Sequence, residues 1–172
     1  MPRDRDPKRQ GEVAELAFAH KAAALGFTVS KPYGENSRYD FIVDSGGCLT
    51  RVQVKSVAVQ HGNAYRICSG SGNRSKCAYT SRQIDLLAAC VLPHNAWYLI
   101  PIGAFAPVKT LKLCPHRSSR GRFERFREAW HLLRPPATAA SRQPRRNQQT
   151  HAHPTSTGCS RQSQVQPTST GP

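Results

Sequence analysis

Tyr39-Asp40-Phe41-Ile42-Val43-Asp44-Ser45-Gly46-Gly47-Cys48-Leu49-Thr50-Arg51-Val52-Gln53-Val54-Lys55-Ser56-Val57 holds two β-rich runs, residues 39–44 and 49–57, around Ser45-Gly46-Gly47. Two such runs about a glycine-rich turn predict a β-hairpin, with Asp44 as a turn residue. Strand alternation sorts the side chains. Arg51, Gln53 and Lys55 share one face of the second strand, and Val52 and Val54 share the other. In the first strand Asp40, Ile42 and Asp44 share a face, and Tyr39, Phe41 and Val43 the opposite one. If the face of Asp40 meets that of Gln53 and Lys55, an acid, an amide oxygen and an ammonium converge. The two oxygen donors suit a hard divalent cation. A lysine beside them can position or help activate an attacking water.

Outward from this hairpin the pattern alternates between helix and strand. Residues 11–25 are rich in Ala, Leu and Glu and predict a helix, with Val13, Leu16, Ala17, His20 and Ala24 on one face and Gly26 just past its end. Residues 27–29 read as a short strand stopped by Lys31-Pro32-Tyr33-Gly34, and residues 64–68 as another strand. A polar loop at 70–76 precedes a short helix expected over 80–87. Strands follow at 88–92, 97–101 and 108–113. Phe123, Phe126, Trp130 and Leu133 recur at helical spacing and predict an amphipathic helix over 123–133. The expected fold class is α/β or α+β, a sheet flanked by helices.

Charge narrows the partners. The chain has 172 residues, 25 Lys+Arg against 10 Asp+Glu, a formal charge of +15 and a pI near 10.3. Such an excess favours a polyanion, most commonly nucleic acid. No apolar run reaches the roughly 18 residues a membrane span needs, and no apolar segment follows the charged N-terminus. A membrane protein and an exported enzyme are therefore not expected; a cytoplasmic, nucleoid-associated protein is. The cysteines at 48, 68, 77, 90, 114 and 159 form no C-x-x-C and no zinc spacing, so they read as reduced thiols. Composition shifts at Pro135-Pro136. Residues 135–172 contain no Leu, Ile, Phe, Tyr or Trp, and their four Arg have no acidic counterpart. A segment this polar cannot offset the entropy of ordering itself and is expected to be a disordered basic tail behind a domain at 9–134.

The hairpin and its surroundings resemble a known family. Asp40, then twelve residues, then Gln53-Val54-Lys55 is similar to the core motif of the PD-(D/E)XK nuclease superfamily, with Gln at the second acidic position. It looks nearest the branch that includes group I intron-encoded homing endonucleases. Gly11-Glu12-Val13-Ala14-Glu15, Gly26-Phe27-Thr28-Val29, Pro32-Tyr33-Gly34-Glu35-Asn36-Ser37-Arg38-Tyr39-Asp40-Phe41 and Arg51-Val52-Gln53-Val54-Lys55 carry the likeness. Trp97-Tyr98-Leu99-Ile100-Pro101 and Phe126-Arg127-Glu128-Ala129-Trp130 extend it to about residue 133.

The resemblance implies a restriction-endonuclease-like core, a central mixed sheet flanked by helices, and a metal-dependent endonuclease acting on double-stranded DNA. It implies Glu15, Asp40, Gln53 and Lys55 as the catalytic set. Asp40, Gln53, the Val54 carbonyl and Glu15 would hold Mg2+, with Mn2+ as the alternative, and Lys55 would sit by the water and the scissile phosphate. Glu15 is preferred to Glu12 because Phe18, Ala19 and Ala22 suggest an inward face. A homo-oligomer is expected, since about 125 residues offer limited area for a long target site. Arg38, Arg51, Arg66, Arg74, Lys76 and Arg82 are candidate phosphate contacts or merely solvated cations. Gln53 costs the site one negative charge, which leaves open a catalytically degenerate DNA-binding module. Resolvase-type and restriction-type nucleases share the same chemistry. Asp85 reads as a brace for the strand after it, and Trp97, Tyr98 and Trp130 as core.

Overall fold

The structure is a computed structural model that describes residues 6–34, 36–71, 77–116 and 121–134. The expected tail and the candidates Arg74 and Lys76 lie outside the described residues. The first element, α1 (Pro7–Ala24), starts where Asp6 accepts a hydrogen bond from Lys8 N at 2.9 Å and Pro7 occupies the first turn. It ends at Leu25, with Gly26 at φ 87°, a conformation glycine adopts without a Cβ clash. Strands β1 (Thr28–Ser30), β2 (Phe41–Ser45), β3 (Cys48–Val57), β4 (Gln60–His61) and β5 (Ala64–Cys68) follow. After them come β6 (Gly70–Ser71), β7 (Cys77–Ala78), β8 (Leu86–Val91), β9 (Ala96–Pro101), the single-turn α2 (Ile102–Phe105) and β10 (Thr110–Leu113).

The expected hairpin is present. Ser45 pairs with Cys48 across Gly46-Gly47, whose φ values of 62° and 88° are both positive, and Asp44 Oδ1 accepts from Gly47 N at 2.8 Å. Five strands form the main sheet in the order β1-β2-β3-β8-β9. The β3–β8 pair is parallel and the others are antiparallel, so the sheet is mixed, as expected. A second, three-stranded sheet runs β10-β5-β4.

Each face of the main sheet has its own core. On one face Ala14, Phe18 and Ala22 of α1 pack on Phe41, Val43, Val52, Val54, Leu86, Ala88, Trp97 and Leu99. Small alanines let the helix lie close, and the Phe18 ring sits 5.6–5.8 Å from the rings of Phe41, Trp97 and Trp130. On the other face Leu87, Ala89, Val91, Tyr98 and Ile100 meet Tyr65, Ile67, Leu111 and Leu113 of the second sheet. A small sheet, rather than a second long helix, covers that face.

Three expectations from the sequence are corrected. The buried stripe of α1 is not the one through Val13, Leu16, Ala17, His20 and Ala24; Val13 is 54% and Leu16 71% exposed. The apolar run near residue 86 is a strand and not the end of a helix. Thr80 opens only a turn, bonded from Gln83 N and Ile84 N, before β8 pairs with β3. Strands buried on both faces read as continuous apolar runs, which periodicity cannot separate from a buried helix. The terminal helix is replaced by two short 3-10 turns, Glu124–Phe126 and Trp130–Leu133. Between them Arg127 is extended and bridges Tyr98, and Glu128 takes φ 50°. A helix would align its four large apolar residues in one stripe. Here Phe123 and Phe126 enter the core of one face, and Trp130 and Leu133 that of the other.

Candidate active site

Asp40 immediately precedes β2, and its backbone N–H donates to Val52 O at 2.9 Å, which extends the β2–β3 ladder by one residue. This fixes its side chain over the middle of β3. Asp40 Oδ2 accepts from Val54 N at 2.7 Å and from Gln53 Nε2 at 2.5 Å. Gln53 is 6% exposed, and its Nε2 also donates to Val54 O at 3.2 Å. Asp40, Gln53 and Val54 therefore form one closed hydrogen-bonded unit. Burial pushes the Asp40 carboxyl above its ordinary value, and the charge of Glu15 pushes the same way. The Val54 N–H, the Lys55 ammonium and the Gln53 amide oppose that shift without cancelling it.

Lys55, half-buried, acts on Asp40 through charge. Gln53 lies opposite Leu87 and Lys55 opposite Ala89, so both side chains leave the sheet on the face away from α1. Glu15 approaches from α1, on the other side. It reaches Asp40 through charge, while its Oε2 accepts from Lys31 Nζ at 2.8 Å. Glu15 is half-buried and Glu12 exposed.

Two residues not singled out in the sequence border this unit. Lys31 follows Ser30, whose partner is Ile42, so the register brings Lys31 beside Phe41, with Nζ 5.8 Å from the ring centroid. The hydrogen bond and charge of Glu15 raise its pKa, and the charges of Asp40 and Glu12 add to this. Tyr79 is buried, and burial with the charges of Asp40 and Cys68 pushes its phenol to about 12, while Arg38 opposes. Nothing local marks either residue; the path of the chain after β1 and before β8 brings them there.

Arg51, a candidate phosphate contact, is occupied elsewhere. Its Nη2 and Nε donate to Asp85 at 2.7 and 2.9 Å, Nη2 also reaches Ser81 O at 2.8 Å, and Nη1 donates to Arg82 O. Asp85 is held below its ordinary value, chiefly by the Arg51 hydrogen bond. Together they brace the entry to β8, as expected of Asp85. Arg38, Arg66 and Arg82 are exposed.

Could this unit hold a divalent cation? Every donor is a hard oxygen: the Asp40 carboxylate, the Val54 carbonyl, the Gln53 amide oxygen and the Glu15 carboxylate. One nitrogen, Gln53 Nε2, already reaches both Asp40 Oδ2 and Val54 O, so these two oxygens converge on a common point. Gln53 Nε2 now stands at that point, so the residues fit a cation there with the amide turned to present its oxygen. Among the described residues no cluster of three or more His, Cys, Asp or Glu exists, so the donor set is lean in charge. Cys48, Cys68, Cys77, Cys90 and Cys114 are free thiols, in agreement with the sequence.

The solved structure of a bacterial homing endonuclease, I-Ssp6803I, superposes with a TM-score of 0.66 at 28% identity, covering 74% of this chain and 93% of that one. Protein 5.3 of Escherichia phage T7 is 32% identical over 84 residues, 47% of this chain and 70% of the phage protein. The family model described as PD-(D/E)XK endonuclease matches residues 5–133, and the chain belongs to that family.

Proposed function

We propose that this chain is a metal-dependent endonuclease that hydrolyses phosphodiester bonds in double-stranded DNA. One observation carries the proposal: Asp40 Oδ2 is held by Val54 N and the Gln53 amide on adjoining strands, within reach of the Lys55 charge. Membership of the family and the +15 charge support it. Asp40, Gln53 and the Val54 carbonyl would hold Mg2+ or Mn2+, with Glu15 completing or orienting the set. The bound cation supplies a water of lowered pKa and charge neutralisation at the phosphate. Lys55 holds the scissile phosphate and the water by charge. The β2–β3 ladder keeps Asp40 over β3, so the acid is placed before substrate arrives.

Within this chemistry, likeness to a homing endonuclease supports the narrower role of cutting an intron-insertion site. A cytoplasmic protein acting as a dimer or larger assembly on DNA fits that role. The second reading is a DNA-binding module without catalysis. It is favoured by Gln53, whose NH2 end faces Asp40 where an acid would bring charge.

The test is cleavage of supercoiled plasmid and a randomised duplex library with Mg2+ or Mn2+, for wild type, Asp40→Ala and Lys55→Ala. Cutting by wild type, with each substitution slowing it by at least about 100-fold, is expected. No cutting by wild type with binding retained would favour the module.

A further inference from the structure

We propose that the outer face of the three-stranded sheet is a second DNA contact, a groove that grips the phosphodiester backbone between Arg66 and Lys112. It rests on the DNA reading above and adds a place where the duplex lies, outside the Asp40 unit. Strands β5 and β10 are antiparallel, with Tyr65 opposite Leu113, Arg66 opposite Lys112 and Ile67 opposite Leu111. Tyr65, Ile67, Leu111 and Leu113 are buried in the core, so alternation sends Arg66 and Lys112 outward as direct cross-strand neighbours. Like charges directly opposite on a sheet repel and destabilise it. Here they stand unrelieved: among the described residues neither forms an ion pair. An anion seated between them would turn that repulsion into attraction.

The surrounding surface is shaped for such an anion. His61 pairs with Ala64 across the tight turn of β4 and β5, where Gly62 has φ 58°. Ala64, two residues before Arg66 and so on the same face of β5, is buried at the floor of a depression. That depression is a cavity of about 320 Å³ lined by His61, Asn63, Ala64, Arg66, Lys112 and Cys114. Cys114 Sγ donates to Asn63 O at 3.3 Å and closes one side. Among the described residues no carboxylate lines it. Two cations, an imidazole and an amide around a small floor suit a phosphate diester better than a neutral ligand.

The test is fluorescence anisotropy of a labelled duplex in EDTA, so that no cutting intervenes, over a series of salt concentrations. Wild type, the pair Arg66→Ala with Lys112→Ala, and the charge-keeping pair Arg66→Lys with Lys112→Arg are compared. The alanine pair is expected to bind about tenfold or more weakly near 0.1 M salt, with a salt slope less steep by about one to two. The charge-keeping pair is expected to bind within about twofold of wild type, with its slope. Unchanged affinity and slope in the alanine pair, with wild type binding, would overturn the groove and leave the DNA reading standing. Equal losses in both pairs would overturn it as well, because charge would not be what the groove contributes. Failure of wild type to bind any duplex would sink both.

Discussion

Asp40 sits between opposed influences, and its behaviour with pH is a test of the site. Burial, reinforced by Glu15, places its folded-state pKa above 3.8. The folded protein therefore holds that proton more tightly than the unfolded chain does. The resulting stability is fully present below 3.8 and is lost as pH rises through the folded value. In metal-free protein, thermal scans across pH 3 to 8 should show this loss, and Asp40→Asn should remove that part of the curve. An unchanged curve would mean that burial and the charge of Glu15 do not hold the Asp40 proton. Glu128 works in the opposite sense. Burial raises it, but hydrogen bonds from Lys21, Trp97 N and Trp130 prevail and hold it below 4.5. Its contribution is present above 4.5 and is lost as pH falls through the folded value. Of the residues around Asp40, the acid, the amide and Lys55 were legible from strand alternation. Lys31 and Tyr79 were not, because their proximity depends on chain reversals far from the motif.

At the scale of elements, α1 separates pattern from placement. Its composition made it legible as a helix, but its buried face was misread, since Leu16 and Val13 are outward while Phe18 is fully buried. Phe18→Ala should cost about 3–5 kcal/mol in urea unfolding, because it empties the centre of an aromatic cluster. Leu16→Ser should cost no more than about 0.5 kcal/mol. A larger loss at Leu16 than at Phe18 would reverse this assignment of the faces. The Arg51–Asp85 pair belongs to the same scale. Its members are about a third exposed, so screening limits the ion pair itself to at most about 1 kcal/mol. Its use is to tie the end of one turn to β3 before the parallel pairing begins.

At the scale of the whole chain, charge and composition divide the molecule. Removing the four Arg of residues 135–172 leaves +11 on residues 1–134, so that stretch is itself basic. We expect a chain ending at Arg134 to keep its stability within about 0.5 kcal/mol, since the removed residues offer almost no apolar area to a core. The same truncation should flatten the salt dependence of DNA binding if the tail arginines touch phosphates. A marked fall in the thermal midpoint would show that the tail packs on the domain.

The sequence by itself determined the hairpin and the shared face of Gln53 and Lys55, and the observed register is what joins the face of Asp40 to theirs. Strict alternation fixes which side chains share a face, and the two-residue turn found in the structure sets the pairing that buries Val52 and Val54. It determined that α1 is a helix and that the chain is basic. Tertiary structure alone decided that residues 86 and 87 open the strand read at 88–92 and do not close a helix, because an apolar run gains as much by burial in either form and only the parallel partner β3 settles it. It decided that residues 123–133 break into two turns, because their aromatic residues are drawn into cores on opposite faces of one sheet. It also decided that Arg66 and Lys112, 46 positions apart in the chain, stand side by side on the outer sheet, since a cross-strand neighbour is fixed by pairing and not by local sequence.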